Sequence, residues 1–218
     1  MTFQIKMRIE TKNAGKKFWF KLKLSLSIVA SWWFVYFIEL LFNLNLHSFG
    51  LKPHDFTNLK GILTYPFIHG NFEHLSNNSL SGFIIFSSLF VVYEKISLKI
   101  IVLIYILSGM LLWLIGESYS THIGASSIIY GVAFFLFFSG IITYKSSNIA
   151  VSLLMAVWYG SMIWGINPLT VESGVSWEGH LSGAIIGIIL AILFHRDYLN
   201  KKNIDDEEED EEYHFYEK

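Results

Sequence analysis

The sequence predicts an all-α polytopic membrane protein, built as a bundle of six transmembrane helices. Of the 218 residues, 53% are hydrophobic and 17% are aromatic, which is more apolar side chain than a soluble single domain of this length contains. Six apolar stretches each approach the roughly 20 residues that a helix needs to cross a bilayer. The stretches cover residues 24–46, 74–93, 97–116, 123–143, 149–166 and 177–195. Together they predict a six-helix membrane domain over residues 24–195.

Two charged segments flank the predicted membrane domain. Residues 1–23 contain seven Lys and Arg residues, and we interpret this segment as a retained basic cytoplasmic arm rather than a cleaved signal peptide. Residues 196–218 include an acidic run at 205–212, and such runs repel themselves and usually stay solvated without a fold. We interpret this second segment as an acidic cytoplasmic tail.

The distribution of basic residues predicts the orientation of the six helices. Cytoplasmic loops of membrane proteins are enriched in Lys and Arg. With the amino terminus inside, all of the 16 Lys and Arg residues except Lys52 and Lys60 fall on the cytoplasmic side. Both termini are therefore predicted to be cytoplasmic, and the simplest location is a bacterial inner membrane.

The composition excludes several classes of function. The chain has no cysteine, so it forms no disulfide, thiolate metal site or cysteine nucleophile. Its formal net charge of -2 gives no basic bias toward nucleic acid. His69 and His74 are five residues apart across a predicted loop–helix junction, and no third ligand is spaced to complete a metal site with them. We therefore expect no metal, no cofactor and no nucleic acid, and we expect the lipid bilayer and other membrane proteins as partners.

The second, fourth and sixth stretches open with polar residues at the end that the orientation places toward the outer face. The polar openings contain His74, Ser76, Asn77, Asn78 and Ser79, then Gly124, Ser126 and Ser127, then Glu178, His180 and Ser182. At about 1.5 Å per helical residue, Asn78, Ser126 and His180 lie roughly 24 to 29 Å from the basic residue at the inner end of their own span. In a hydrocarbon layer of about 30 Å, all three lie just below the outer surface and can belong to one site.

The residue types in these openings favour acyl transfer. Ionisable side chains at this depth are costly unless they pair or face a water-filled cavity, so His180 is predicted to be functional. A neutral imidazole can take the proton of a serine hydroxyl during attack on a carbonyl and return it to the leaving amine, and Ser126 is the candidate serine. His74 and Asn78 are four residues apart on one helix face, where their N–H groups can stabilise an oxyanion.

Small residues on the sixth stretch predict close helix packing. They recur every four positions at Gly179, Gly183, Gly187 and Ala191. This spacing lets helices approach closely in lipid. The fourth stretch has Ser127 and Gly131 at the same interval, so contact between these two helices would bring His180 toward Ser126.

Three motifs on these stretches resemble those of the rhomboid family of intramembrane serine proteases. They are H-L-S-N-N at residues 74–78, G-A-S-S-I-I-Y-G at residues 124–131 and G-H-L-S-G-A-I-I-G at residues 179–187. A G-x-S motif alone is weak, but three motifs on the appropriate helices with the appropriate sidedness are specific together. The resemblance covers roughly residues 24–195 and implies a rhomboid-like six-helix fold.

The resemblance also implies a role for each residue of the polar openings. Ser126 would be the nucleophile and His180 the general base, in a dyad without an acidic third member. The backbone N–H of Ser126 and the side chains of His74 and Asn78 would form the oxyanion hole. The implied substrate is a transmembrane helix of another protein, cut near its outer end where small or helix-breaking residues let the backbone unwind.

Other residues of the motifs would have supporting roles. Tyr130 would pack against the ring of His180, and Gly124 and Gly183 are the motif glycines that support the serine and histidine segments. His69 matches a loop histidine that is often found in the family.

Two features depart from the family pattern. The family usually has the sequence G-x-S-G, whereas Ser127 follows Ser126 here, at a position where glycine would allow tight helix contact. A Trp-Arg motif that is common in the first outer loop of related proteins is absent between His47 and Glu73.

Two other functions stay open at the level of sequence. A non-enzymatic rhomboid-like protein would bind transmembrane helices without cutting them, which Ser127 makes conceivable and the presence of both Ser126 and His180 argues against. A small transporter or channel would carry polar residues at several depths, whereas the inner halves of the second, fourth and sixth stretches hold few. Taken singly, Ser126 also fits a structural role, with its hydroxyl bonded to a carbonyl one turn back.

Overall fold

The computed structural model describes residues 2–143, 146–171 and 174–195, with side chains from residue 13 onward except at position 147. The predicted acidic tail, Lys145 and the first side chains of the predicted arm lie outside the described residues. The part of the chain that the structure describes contains six helices long and apolar enough to cross a membrane. These are α1 Thr2–Leu41, α2 Phe72–Val92, α3 Ser97–Ile115, α4 Ser126–Thr143, α5 Ser146–Tyr159 with a 3₁₀ extension at Gly160–Ile166, and α6 Trp177–His195. The prediction of an all-α six-helix membrane protein is confirmed.

The first helix differs most from its predicted bounds of 24–46. It also covers the segment that we interpreted as a basic arm, and it ends at Leu41. The earlier end follows from Asn43, whose φ of +48° is left-handed, and from the Glu39 carboxylate, which accepts the Leu46 N–H at 3.0 Å. The predicted extension of the helix to residue 46 is therefore wrong.

Helix α4 lies at the centre of the bundle and is the most buried of the six helices. It packs against α2, α3 and α5 and contacts α6. Its apolar side chains join a continuous core that includes Phe86, Ile104 and Phe135, each less than 2% exposed. Because helices in lipid associate by close packing rather than by the hydrophobic effect, this central helix is the most constrained element of the protein.

Helices α4 and α6 touch through glycines. A Cβ atom added to Gly183 would overlap the carbonyl oxygen of Ser127, and one added to Gly187 would overlap that of Gly131. Only glycine allows two helix backbones to lie this close. The predicted contact between these helices is confirmed for these two positions. Gly179 does not share it, because its neighbours lie at the start of its own helix and on α3.

The polar groups near the carboxyl-terminal end of α4 form hydrogen bonds with one another. Asn148 donates to the Tyr93 hydroxyl at 2.9 Å, and the Tyr93 hydroxyl donates to Ser139 at 2.8 Å. An ion pair of 3.2 Å between Lys21 and Glu94 joins α1 to the α2–α3 turn. Interhelical hydrogen bonds of this kind hold a membrane bundle together.

The connection between α1 and α2 covers the end of the bundle where Ser126 lies, which we call the serine end. It contains short helical turns at Leu46–Phe49, Phe56–Asn58, Gly61–Thr64 and Tyr65–Phe67. Leu51 and Tyr65 of this connection are buried together with Leu112 of α3. Leu51 also exchanges two backbone hydrogen bonds with His122, at 2.9 and 2.8 Å, which attaches the connection to the segment before α4.

Candidate active site

Ser126 is the first residue of α4 and lies half-buried at the serine end. The helix begins there rather than at residue 123, because Gly124 has a φ of +101°, a conformation that glycine adopts without strain. The Gly124 N–H donates to the Tyr65 carbonyl at 2.8 Å and fixes this turn. The first N–H groups of a helix have no partner within it, so the turn around Ser126 offers donors to an anion.

The imidazole of His180 is buried near the start of α6 and is held on two sides. Its Nδ1 atom lies 2.9 Å from the carbonyl oxygen of Gly165. Because a carbonyl only accepts, Nδ1 carries the hydrogen, and Nε2 of the neutral ring keeps a free lone pair. The ring stacks on that of Tyr130, with centroids 4.0 Å apart and planes 7° apart. This arrangement selects the nitrogen that can act as a base.

Tyr130 connects the positions of His180 and Ser126. Ser126 and Tyr130 are one turn apart on α4 and share a helix face, so the ring stacked on Tyr130 lies on the serine's side of the helix. The hydrogen bond that His180 makes is the one to Gly165, and within the described residues none joins it to the Ser126 hydroxyl. Catalytic hydrogen bonds often form fully only with substrate bound, so this geometry is compatible with proton transfer.

His74 and Asn78 lie beside the turn that precedes Ser126. A Cβ atom on Gly124 would be 2.5 Å from His74 Nε2 and 3.3 Å from Asn78 Nδ2. Asn71 caps α2 by accepting the His74 N–H at 2.8 Å, which sets where this helix starts. The Asn78 Nδ2 atom is buried and has no hydrogen-bond partner among the described residues. A buried donor without a partner costs about 1–3 kcal/mol, and an oxyanion at this position would supply the missing acceptor.

His69 lies directly behind His74, with the two ring centroids 5.0 Å apart. It is 2% exposed and also packs against Trp32. Burial, together with the neighbouring His74, lowers the pKa of His69 to about 3, so this ring is neutral at physiological pH. Over the described ranges, no three His, Asp or Glu side chains lie close enough to hold a metal ion.

Comparison with known proteins identifies the family. A family model for the Rhomboid domain matches residues 57–197, which include α2 to α6 and their polar starts. This chain belongs to the rhomboid family. An uncharacterised protein of Mycobacterium tuberculosis is 32% identical over 174 residues, which are 77% of this chain and 72% of that relative. A protein of Acanthamoeba polyphaga mimivirus that is named as a rhomboid protein is 29% identical over 153 residues, 66% of this chain and 82% of the viral one.

The structure shows how this rhomboid accommodates Ser127 after Ser126. The Ser127 side chain is buried, and its hydroxyl lies 2.7 Å from that of Tyr65. The Tyr65 hydroxyl is also 3.4 Å from that of Ser108 on α3. The Ser127 side chain therefore points toward α3, while its carbonyl oxygen faces Gly183 of α6. Serine in place of glycine leaves the close contact between α4 and α6 intact.

Removing the Tyr65 hydroxyl tests this hydrogen bond. Tyr65→Phe is expected to lower the free energy of unfolding of this rhomboid by about 1–3 kcal/mol, because the buried Ser127 hydroxyl loses its partner. The double variant with Ser127→Ala removes both hydroxyls and is expected to cost less than the sum of the two single changes. Denaturant unfolding in mixed micelles measures all three free energies. Strictly additive losses would contradict a direct bond between the two hydroxyls.

Sequence reasoning missed two residues that the structure adds to this rhomboid site. Gly165 supplies the carbonyl that orients His180, and Tyr65 holds the turn before Ser126. Gly165 acts through its backbone carbonyl, and a Cβ atom at this position would overlap the Tyr130 hydroxyl, but the sequence alone does not show which ring a glycine lies against. Tyr65 lies in an irregular connection without periodicity, where the sequence does not indicate which aromatic side chain is buried.

Proposed function

We propose that this rhomboid is an intramembrane serine endopeptidase, which hydrolyses peptide bonds in or next to the transmembrane helices of other membrane proteins. Ser126 is the proposed nucleophile and His180 the proposed general base, in a dyad without an acidic third residue. The Ser126 backbone N–H and the side chains of His74 and Asn78 are the proposed oxyanion hole. The reaction written in this way uses no cofactor and no metal ion.

The proposed reaction transfers an acyl group first to Ser126 and then to water. His180 Nε2 accepts the hydroxyl proton as Ser126 Oγ attacks the scissile carbonyl carbon, whose oxygen becomes an oxyanion. The tetrahedral intermediate then collapses, the C–N bond breaks, and His180 gives the proton to the leaving amine. In the second half, His180 takes a proton from water as the water oxygen attacks the ester carbonyl carbon. The second tetrahedral intermediate then collapses, the bond from that carbon to Ser126 Oγ breaks, and His180 returns the proton to Ser126 Oγ, which releases the carboxylic acid product and restores the dyad.

The observation that carries this proposal is the orientation of the His180 ring. In serine proteases with a triad, a carboxylate bonded to Nδ1–H selects the tautomer and holds the ring in place. Here the Gly165 carbonyl accepts a hydrogen bond from Nδ1, and the stack on Tyr130 holds the ring plane. These two contacts supply the same constraints without a buried negative charge, which would be costly at membrane depth.

The unpaired side-chain amide of Asn78 also supports the proposal, because it can donate a hydrogen bond to the oxyanion. Its Nδ2 atom and His74 Nε2 both approach the Gly124 backbone, two residues before Ser126. A preorganised donor to an oxyanion typically contributes about 10²–10³-fold to kcat. Donors that are already desolvated and fixed need no reorganisation at the moment when the charge develops.

We propose that the site faces the outer side of a cell membrane, with both termini in the cytoplasm. Lys95 and the exposed Lys16, Lys17 and Lys23 lie at the end of the bundle opposite Ser126. The preference of Lys and Arg for the cytoplasmic side supports this orientation. The similarity to a mycobacterial protein is compatible with a bacterial inner membrane.

The alternative is an inactive rhomboid-like protein that binds transmembrane helices without cutting them. The observation in its favour is the lack of a hydrogen bond between Ser126 and His180 within the described residues. The two functions predict the same partner, a transmembrane helix, and differ only in the reactivity of the Ser126 hydroxyl.

A fluorophosphonate probe separates the two functions, because it reacts with a serine only where a base and oxyanion donors activate it. The purified wild-type protein in micelles is expected to become labelled at Ser126, as located by peptide mass spectrometry. His180→Ala is expected to lose the label. The matched control Ser88→Ala, which changes an α2 serine bonded to the carbonyl one turn back, is expected to keep it. An unlabelled wild type, or equal labelling of His180→Ala, would favour the inactive helix-binding protein.

A further inference from the structure

A chain of hydrogen bonds crosses the serine end and joins the segment before α4 to the start of α6. His122 lies four residues before Ser126, and Ser176 lies four residues before His180. The Nδ1 atom of His122 is 2.7 Å from the Ser176 hydroxyl oxygen. Each partner is thus connected by a short length of backbone to one member of the proposed dyad.

Ser176 determines where α6 begins. Its hydroxyl oxygen accepts the Gly179 N–H at 3.0 Å, and its carbonyl accepts the His180 N–H at 3.2 Å. This is the N-cap arrangement of serine, which satisfies N–H groups that the first helical turn leaves free. Any displacement of Ser176 therefore displaces the first turn of α6, including His180.

His122 is fixed on its own side through its backbone. Its N–H donates to the Leu51 carbonyl at 2.8 Å, and its carbonyl accepts the Leu51 N–H at 2.9 Å. Leu51 is fully buried and His122 is 6% exposed. His122 is therefore held in place by its backbone, and its imidazole extends from the segment before α4 toward the start of α6.

Counting donors assigns the hydrogens along this chain. The Ser120 hydroxyl donates to the Glu117 carbonyl at 2.6 Å, so it has only lone pairs to offer His122 Nε2, which lies 2.8 Å away. Nε2 therefore carries the imidazole hydrogen, and Nδ1 has a lone pair. The Ser176 hydroxyl donates to Nδ1 while its oxygen accepts the Gly179 N–H. Each of these groups has a partner when His122 is neutral.

The surroundings keep His122 in this neutral form. Burial lowers the pKa of His122, and the carboxylates of Glu178 and Glu117 offset that effect only in part. A proton on Nδ1 would turn the acceptor for Ser176 into a second donor. The Ser176 oxygen could still accept this hydrogen, but the Ser176 hydroxyl hydrogen would then lose its acceptor, so the neutral imidazole satisfies more of these groups.

We propose that His122 and Ser176 are a positioning pair, which sets the distance from Ser126 Oγ to His180 Nε2 by holding the starts of α4 and α6 together. This inference rests on the proposed function. The glycine contact at Gly183 fixes the separation of the two helices one turn deeper in the bundle. The bond between His122 and Ser176 acts at the helix ends, beside the dyad, where Gly183 does not reach.

Loss of the pair is expected to affect the chemical step rather than substrate binding. A displacement of about 1 Å between reacting groups can lower a rate by about 10²-fold. Neither residue belongs to the proposed catalytic or oxyanion groups. We therefore expect His122→Leu to lower kcat by about 10- to 100-fold, with KM unchanged within about twofold.

Conservative variants distinguish the loss of the hydrogen bond between His122 and Ser176 from a mere change in side-chain size. His122→Asn places an amide oxygen near the position of Nδ1, so it can accept the Ser176 hydroxyl and is expected to recover most of the kcat lost in His122→Leu. Ser176→Thr keeps both the hydroxyl donor and the cap and is expected to retain more activity than Ser176→Ala. The matched control is His54→Gln, which removes another imidazole of the serine end that is bonded at both nitrogens, to Ser118 and the Leu114 carbonyl.

Hydrogen exchange gives a second readout that needs no activity. His122→Leu is expected to speed amide exchange at residues 126–131 and 177–183 together, because both helix starts lose their shared anchor. Exchange at the α1–α2 contact is expected to match the wild type. His54→Gln is expected to change neither helix start.

The two readouts together decide the inference. Reduced kcat in His122→Leu, recovery in His122→Asn and local exchange at both helix starts would support a positioning pair. A kcat equal to that of His54→Gln would overturn it, as would equal losses in His122→Leu and His122→Asn or faster exchange throughout the bundle. If the wild type itself neither cleaves nor labels, the proposed function fails, and the exchange data still decide whether His122 and Ser176 join the two helices.

Discussion

Replacing Ser126 or His180 by alanine is expected to lower cleavage of a helical substrate in liposomes by about 10⁴-fold or more, because each change removes an indispensable half of the proposed dyad. Without the Ser126 hydroxyl there is no nucleophile. Without His180 the site has no base that accepts the proton of the Ser126 hydroxyl. The double variant is expected to be no slower than either single variant, since the two residues act as a unit.

Two controls make this measurement specific. Ser88→Ala removes a membrane-embedded serine whose hydroxyl bonds to the Ile84 carbonyl at 2.9 Å, and His54→Gln removes an imidazole of the connection between α1 and α2. Both are expected to cleave like the wild type. Equal cleavage by wild type, Ser126→Ala and His180→Ala across several substrates would remove the protease proposal, and binding of those helices would then support the inactive alternative.

The helices could be predicted from the sequence because membrane depth constrains them strongly. A span needs about 20 apolar residues whatever its neighbours are, so five of the six stretches were placed to within a few residues. The exception was α1, which begins well before residue 24 and whose end depends on Asn43 in a left-handed conformation and on the Glu39 carboxylate. The hydropathy of the sequence does not predict such local contacts.

The candidate site was partly predictable for a related reason. Spacing along a helix fixes which residues share a face, so it was possible to group His74 with Asn78 and to expect α6 glycines against α4. The contacts that orient these groups come from other elements. The Gly165 carbonyl meets His180 only because the extension of α5 lies beside α6, and His122 meets Ser176 only in the folded bundle. The periodicity of a sequence does not predict contacts of this kind between separate elements.

Gly183→Ala is expected to produce the largest loss of stability among single small substitutions at the α4–α6 contact. The added Cβ would overlap the Ser127 carbonyl oxygen and lie 3.0 Å from the Gly131 nitrogen. Both are backbone atoms, which cannot rotate away as a side chain can, so α6 must move off α4. We expect the free energy of unfolding to fall by about 3 kcal/mol, at the upper end of typical overpacking costs. Gly160→Ala is the control, since nothing lies within 4 Å of its added Cβ.

Gly187→Ala separates the stability of this contact from its effect on the site. Its Cβ would overlap the Gly131 carbonyl oxygen, so the steric conflict is of the same kind but one turn farther from Ser126 and His180. We expect a similar loss of unfolding free energy with a much smaller loss of fluorophosphonate labelling, measured at equal folded fractions. Equal losses of labelling in the two variants would mean that the overall separation of α4 and α6 controls the dyad. A loss confined to Gly183→Ala would mean that only the helix separation within about one turn of the dyad controls it.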